Sequence, residues 1–194
     1  SNSATDLGAI AIKDAVEKAH IPAEDIESIA MGNVLSANLG QAPARQASMA
    51  AGLPESVCAT TINKVCASGM KATSVVYNDI LVGNIEVGIA GGMESMSLVP
   101  YYLPNGRFGM GYGNGVLMDG LAKDGLTDVY NKTSMGVSGD KTAEKYQITR
   151  EEQDDFAEQS YKKAAAAWAN GSFSSEVVTV SIPQKKGGAL EITE

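Results

Sequence analysis

The sequence predicts an α/β layered fold. Short apolar segments bounded by glycine alternate with longer segments of helical period, in the order helix, strand, helix, strand, helix, strand over residues 1–95. The strand candidate "VGIAGG" is short, apolar throughout and closed by glycine, as a strand buried on both faces should be. A chain of 194 residues with 44% hydrophobic composition can also bury a substantial core.

Each element follows from local pattern. Residues 3–20 place Leu7, Ile10, Ala11 and Val16 at helical spacing, with Ser3 or Thr5 available as the cap. "IPAEDI" follows as a turn or short helix, and "SIAMGNVL" reads as a strand ending at Gly32. "APARQASMAAG" is a helix with Pro43 in its first turn, where a missing N–H costs nothing, and Gly52 as its stop. A strand over residues 57–62 and a helix from Cys66 to Leu81, closed by Gly83, lead to "VGIAGG".

The pattern changes near Ser95. Residues 97–125 are crowded with Gly, Pro and Tyr and have no sustained period, which in a compact domain marks a functional or interfacial excursion. Helices are expected again over residues 135–146 and 150–170. In the second, Phe156, Ala157, Ala164 and Trp168 share a face and Gly171 is the stop. "SSEVVTVSIP" closes as an alternating strand. The expected division is therefore an α/β domain over residues 1–95 and a loop-rich part over 96–194.

Composition narrows the function classes. Fifteen Lys and Arg against twenty-three Asp and Glu give a net charge of −8, which argues against a nucleic-acid surface or an anionic membrane as partner. No apolar run approaches the ~18 residues of a spanning helix, and the N-terminus has no secretory pattern, so a cytoplasmic setting is expected. The two cysteines, Cys58 and Cys66, have neither a disulfide framework nor the Cys/His spacing of a zinc site, so no metal is expected. His20, the single histidine, falls at the end of the first helix and reads as a surface residue.

The chemistry concentrates in "TTINKVCASGMKA", residues 60–72. A strand that bends tightly into a helix, with a nucleophile at the first helical turn, is a recurring arrangement in acyl transfer. Unpartnered N–H groups and the positive end of the helix dipole favour a thiolate there and can stabilise an oxyanion. Ala67, Ser68 and Gly69 are small enough to let a substrate reach the backbone, and Lys64 is a nearby cation. On residues alone two readings stay open for Cys66, a nucleophile or a small packing residue. Cys58, in mid-strand, reads as packing.

"NKVCASGMKA" resembles the nucleophile segment of thiolases. "MGNVLSANLGQAPARQ", "GGMESMS", "KDGLTDVYNK" and the "MG" of "TSMGVSGDKTAEKY" resemble the same family in the same order, closest to short-chain acetyl-CoA acetyltransferases. The resemblance implies a thiolase-like fold: an N-terminal α/β/α half with a mixed sheet, plus an inserted loop domain, the C-terminal half being absent from these residues. It implies that Cys66 takes an acetyl group from acetyl-CoA and passes it to coenzyme A or to the carbanion of a second acetyl-CoA. Coenzyme A thioesters, acetyl-CoA and acetoacetyl-CoA, are then substrates, and no cofactor is bound covalently. Leu126 and Met135 match positions lining the pantetheine and acyl part of the ligand. Residues 97–121 correspond to the tetramerisation loop and "GGMES" to the dimer neighbourhood, so a homodimer or homotetramer is implied for the full-length form, in the cytoplasm or, in a eukaryote, the mitochondrial matrix.

Two departures qualify the implication. Ser134 stands where the family usually has His before the Met-Gly pair, which changes the expected hydrogen bond to the thioester and with it the substrate preference. The Gly-His-Pro motif, second cysteine and Asn-Glu-Ala-Phe motif of the family's C-terminal half do not occur in these 194 residues. Since those groups activate the nucleophile and complete the oxyanion holes, this segment alone is expected to be inactive and to expose apolar surface. The alternative is a non-catalytic thiolase-like fragment that binds acyl-CoA or a partner.

Overall fold

The structure, a computed structural model, describes residues 2–184 and 187–193; residues 1, 185, 186 and 194 of the two expected domains lie outside it. Its first half is a three-layer arrangement around a parallel sheet. Helix α1 (Ala4–Ala19) starts at a capping box in which the Ser3 Oγ accepts the Asp6 N–H at 3.1 Å and the Asp6 carboxylate accepts the Ser3 N–H at 2.9 Å. The Ser3 hydroxyl also donates to the Asp6 carboxylate at 2.7 Å, and that bond first, with the Ser3 N–H second, holds the Asp6 carboxyl below its ordinary value. Ser3, rather than Thr5, is thus the cap. The helix stops at His20, exposed and in the left-handed region at φ 54°.

Strand β1 (Ser28–Gly32) follows, then α2 (Pro43–Ala50), β2 (Cys58–Ile62), α3 (Ser68–Leu81) and β3 (Gly88–Gly92). The sheet order is β2-β1-β3, with both pairings parallel. Because the first crossover leaves β1 on one side and the second returns across it, crossovers of a common hand place α2 and α3 on opposite faces. The side chains of β1 divide accordingly. Ile29 and Met31 join Ile12, Ala44, Ala47, Leu53 and Val57 in a core beneath α1 and α2, whereas Ala30 packs with Ala72 and Val76 of α3. β1 is buried on both faces as expected. β3 is not: its residues are half-buried or exposed, because in this chain it is an edge strand.

The excursion after Ser95 contains β4 (Tyr101–Tyr102) and β5 (Met118–Asp119), an antiparallel pair, followed by a π-helical turn, Ala122–Leu126. Helices α4 (Met135–Tyr146) and α5 (Arg150–Ala169) occupy the expected spans. α5 opens with a second capping box, Thr149 with Glu152. Its shared apolar face is unevenly covered: Phe156 is 79% exposed, whereas Trp168 is 38% exposed and packs its ring against Phe173 at 5.1 Å. The closing strand is shorter than expected, β6 (Val180–Ile182), and pairs antiparallel with β7 (Leu190–Ile192), which the sequence reading did not anticipate.

Candidate active site

The carboxyl ends of the three parallel strands meet in one crevice, the usual ligand position of an open α/β sheet whose crossovers diverge. An open hollow of about 370 Å³ lies there, lined by Gly32, Val34, Val65, Cys66, Gly69 and Glu94 among others. Each strand contributes the loop at its end: residues 33–35 after β1, 63–67 after β2 and 93–95 after β3.

Cys66 is exposed at this crevice, so within this chain it is not a packing residue. Its position differs from expectation by two residues: α3 begins at Ser68 with Ala67 as its N-cap, and Cys66 sits in the turn ahead of the helix. The cause is local. Val65 takes φ 49°, a left-handed conformation that a β-branched residue reaches only under constraint. The Asn63 Oδ1 accepts the Val65 N–H at 3.0 Å. The Ser68 Oγ accepts the Lys64 N–H at 2.8 Å and donates to the Val65 carbonyl at 2.5 Å. These bonds turn the chain before the helix can start, and the Ala67 side chain makes no cap bond. The N–H groups of Gly69 and Met70 consequently find no partner among the described residues and are available to a ligand oxygen. Cys58 is also displaced from mid-strand: it is the first residue of β2 and exposed.

Opposite Cys66, the Glu94 carboxylate accepts the Asn33 Nδ2–H at 2.8 Å and the N–H groups of Val34 and Leu35 at 2.8 and 3.1 Å. Asn33 is 2% exposed and also donates to the Met93 carbonyl at 3.1 Å. β1 and β3 are thereby tied together below the crevice. Nothing in the sequence pattern announces this tie. The Asx turn at Asn63 does have a local signal, an Asn just after a strand.

His20 stands at the far end of α1 from the crevice. The N-terminus of α1 lies at the crevice end, where the Ser95 hydroxyl donates to the Asn2 carbonyl at 3.1 Å. The helix then runs back along its 16 residues, about 24 Å, to His20. No histidine of this chain reaches Cys66, and no cluster of His, Cys, Asp and Glu among the described residues is placed to hold a metal ion.

The residues expected to contact ligand in the second half converge on one another. Thr127 bridges to Ser134 as an antiparallel pair, which sets Leu126 beside Ser134 and Met135 at the start of α4. The loop between is closed by Asp128, whose carboxylate accepts the Asn131 N–H at 2.7 Å and is held below its ordinary value by that bond. Leu126 and Met135 are exposed, 45% and 41%, so neither is a core residue of this chain. The π turn carrying Leu126 rests on the β1 loop at Leu35, whose side chain lies 3.3 Å from where a Cβ on Gly125 would stand. None of Leu126, Ser134 and Met135 lines the Cys66 hollow.

A family model described as thiolase, N-terminal domain, matches residues 1–194. The chain belongs to the thiolase family. It is similar to acetyl-CoA acetyltransferase erg10A, mitochondrial, of Aspergillus fumigatus, at 53% identity over 96% of this chain and 43% of that protein. The acetyl-CoA acetyltransferase of Schizosaccharomyces pombe is 52% identical over 95% of this chain and 47% of its own length. Among solved structures, the Acat5 thiolase of Ascaris suum in complex with coenzyme A superposes with a TM-score of 0.88 at 44% identity, covering 92% of this chain and 46% of that one. The thiolase fold expected from the motifs is thus the fold present, with its parallel strands in the sheet and its antiparallel pairs outside it. The chain spans about half the length of the relatives it matches.

Proposed function

We propose that this chain is the nucleophile-bearing half of an acetyl-CoA C-acetyltransferase. One observation carries the reading: Cys66 is exposed in the crevice at the sheet's carboxyl end, beside unpartnered N–H groups at the start of α3. In the first step the Cys66 thiolate attacks the carbonyl of acetyl-CoA. An S-acetyl bond forms and the coenzyme A thiolate leaves. In the second, the carbanion of another acetyl-CoA takes the acetyl group, giving acetoacetyl-CoA and the free cysteine; thiolysis by coenzyme A is the reverse. The backbone N–H groups at the crevice stabilise the oxyanion of each addition.

Residues 1–95 form the nucleophile domain in this reading, and residues 96–194 are part of a loop domain in which Leu126, Ser134 and Met135 contact the coenzyme A thioester. A serine donates a shorter-reaching hydrogen bond than histidine, so Ser134 shifts the acyl preference rather than removing ligand binding. Coenzyme A is substrate, with no covalently bound cofactor. Relatives named as cytosolic and as mitochondrial proteins support a location in the cytosol or mitochondrial matrix. Activity belongs to the completed protein, as a homodimer or homotetramer. The exposed apolar side chains of α3, Met70, Tyr77 and Leu81, support a further protein layer over that face.

A second reading, acyl-CoA binding without turnover, is favoured by the absence of any histidine within reach of Cys66. The two separate in an assay of coenzyme A release from acetyl-CoA, by this chain alone and with the C-terminal half of the Aspergillus relative added. Release that needs both halves and is lost in C66S supports acyl transfer. Binding of acetyl-CoA without release in either case supports the second reading.

A further inference from the structure

We propose that Ser68 and Asn63 are positioning residues for the Cys66 nucleophile, which they serve by holding Val65 in its left-handed conformation. The inference rests on the acyl-transfer reading of Cys66 above. Val65 at φ 49° would relax toward negative φ if released, because its branched side chain disfavours this region. Relaxation would swing the following residue, Cys66, away from the start of α3. Two side chains oppose it from both ends of the Val65 residue: the Asn63 Oδ1 takes its N–H at 3.0 Å, and the Ser68 hydroxyl donates to its carbonyl at 2.5 Å.

Ser68 is suited to the task because it is held on several sides. It is 5% exposed, its own N–H donates to the Val65 carbonyl at 3.0 Å, and its hydroxyl also receives the Lys64 N–H at 2.8 Å. Asn63 is anchored differently, its Nδ2 donating to the Val34 carbonyl at 3.3 Å. Val34 belongs to the loop whose N–H groups are held by Glu94. The strained turn is thus fastened on one side to the helix and on the other to the β1–β3 tie. Neither residue touches the acyl group. Their effect passes through Val65.

Competitive alkylation tests this, with exposed Cys58 as an internal reference in the same molecule. The 194-residue chain is treated with limiting iodoacetamide at neutral pH, and the Cys66-to-Cys58 labelling ratio is read by peptide mass in wild type, S68A, V65G and S68A/V65G, each with its fold checked by far-UV circular dichroism. S68A is expected to lower the ratio about tenfold, within the roughly hundredfold loss that a 1 Å misplacement of a reacting group can bring. In the V65G background the same change is expected to cost less than about threefold, because glycine occupies positive φ without constraint. An unchanged ratio in S68A, or an equal loss in both backgrounds, overturns the inference. Failure of acetyl transfer in the completed enzyme, read separately, overturns the acyl-transfer reading and not the geometry measured here.

Discussion

Gly32, at the end of β1, and Ser68, at the start of α3, stand in backbone contact: a Cβ on Gly32 would lie 2.9 Å from the Ser68 Cβ and 2.7 Å from the Ser68 carbonyl carbon and the Gly69 nitrogen. The first turn of α3 therefore rests directly on the strand that floors the crevice. A side chain at position 32 would prevent that close approach.

Replacing Gly32 with alanine should force the helix start outward. The close atoms are backbone, so the strain cannot be relieved by a side-chain rotation. An overpacked core typically loses about 1–3 kcal/mol. A lower urea midpoint at unchanged m-value is the expected result, together with slower alkylation of Cys66.

Removing the Glu94 side chain as alanine should leave one N–H of the Asn33 amide and the N–H groups of Val34 and Leu35 without their acceptor, while the other Asn33 N–H keeps the Met93 carbonyl. Asn33 is buried, so its unpaired donor costs about 1–3 kcal/mol. E94Q, which keeps an acceptor oxygen, should cost less than E94A. Thermal unfolding of the three proteins checks the order.

The loop that sets Ser134 beside Leu126 should loosen in acid. Asp128 has its carboxyl lowered from 3.8, first by the Asn131 N–H. A depressed folded value means the contribution is full above the ordinary value and disappears as pH falls through the lower folded one. Amide exchange of Asn131, referred to the intrinsic rate at each pH, should therefore lose protection below about pH 4, and D128N should show no such step.

Tyr102 should titrate above its ordinary value of 10.0, because its hydroxyl donates to the Asp124 carboxylate at 2.5 Å and the charge there opposes a phenolate. The stabilisation is present below 10.0 and is lost as pH rises through the higher folded value. Ultraviolet titration should show one tyrosine moving down toward 10.0 in D124A.

Much of this architecture was legible because periodicity alone sets it. The alternation through Gly92, the stop at Gly52 and the spans of α4 and α5 follow from apolar spacing and from residues with restricted backbones. α3 starts two residues later than the helical period predicts because side-chain-to-backbone bonds from Asn63 and Ser68 decide its start, and a period cannot register these. The Glu94 tie joins residues about 60 apart in sequence, so no local pattern carries it. β7 has no signal in the sequence because three residues are too few to display a period. The exposure of Phe156 shows the converse: part of a helical face can be written in the sequence without a cover for it among the described residues.

The central claim is that Cys66 accepts the acetyl group. Peptide mass mapping after incubation with acetyl-CoA and the C-terminal half of the Aspergillus relative tests it most directly. The expected result is one acetyl adduct, on the peptide containing Cys66 and not on that containing Cys58, removed by added coenzyme A and absent in C66S. No adduct on Cys66 in a complex shown to be folded and to bind acetyl-CoA, or an adduct on Cys58 instead, would contradict the claim.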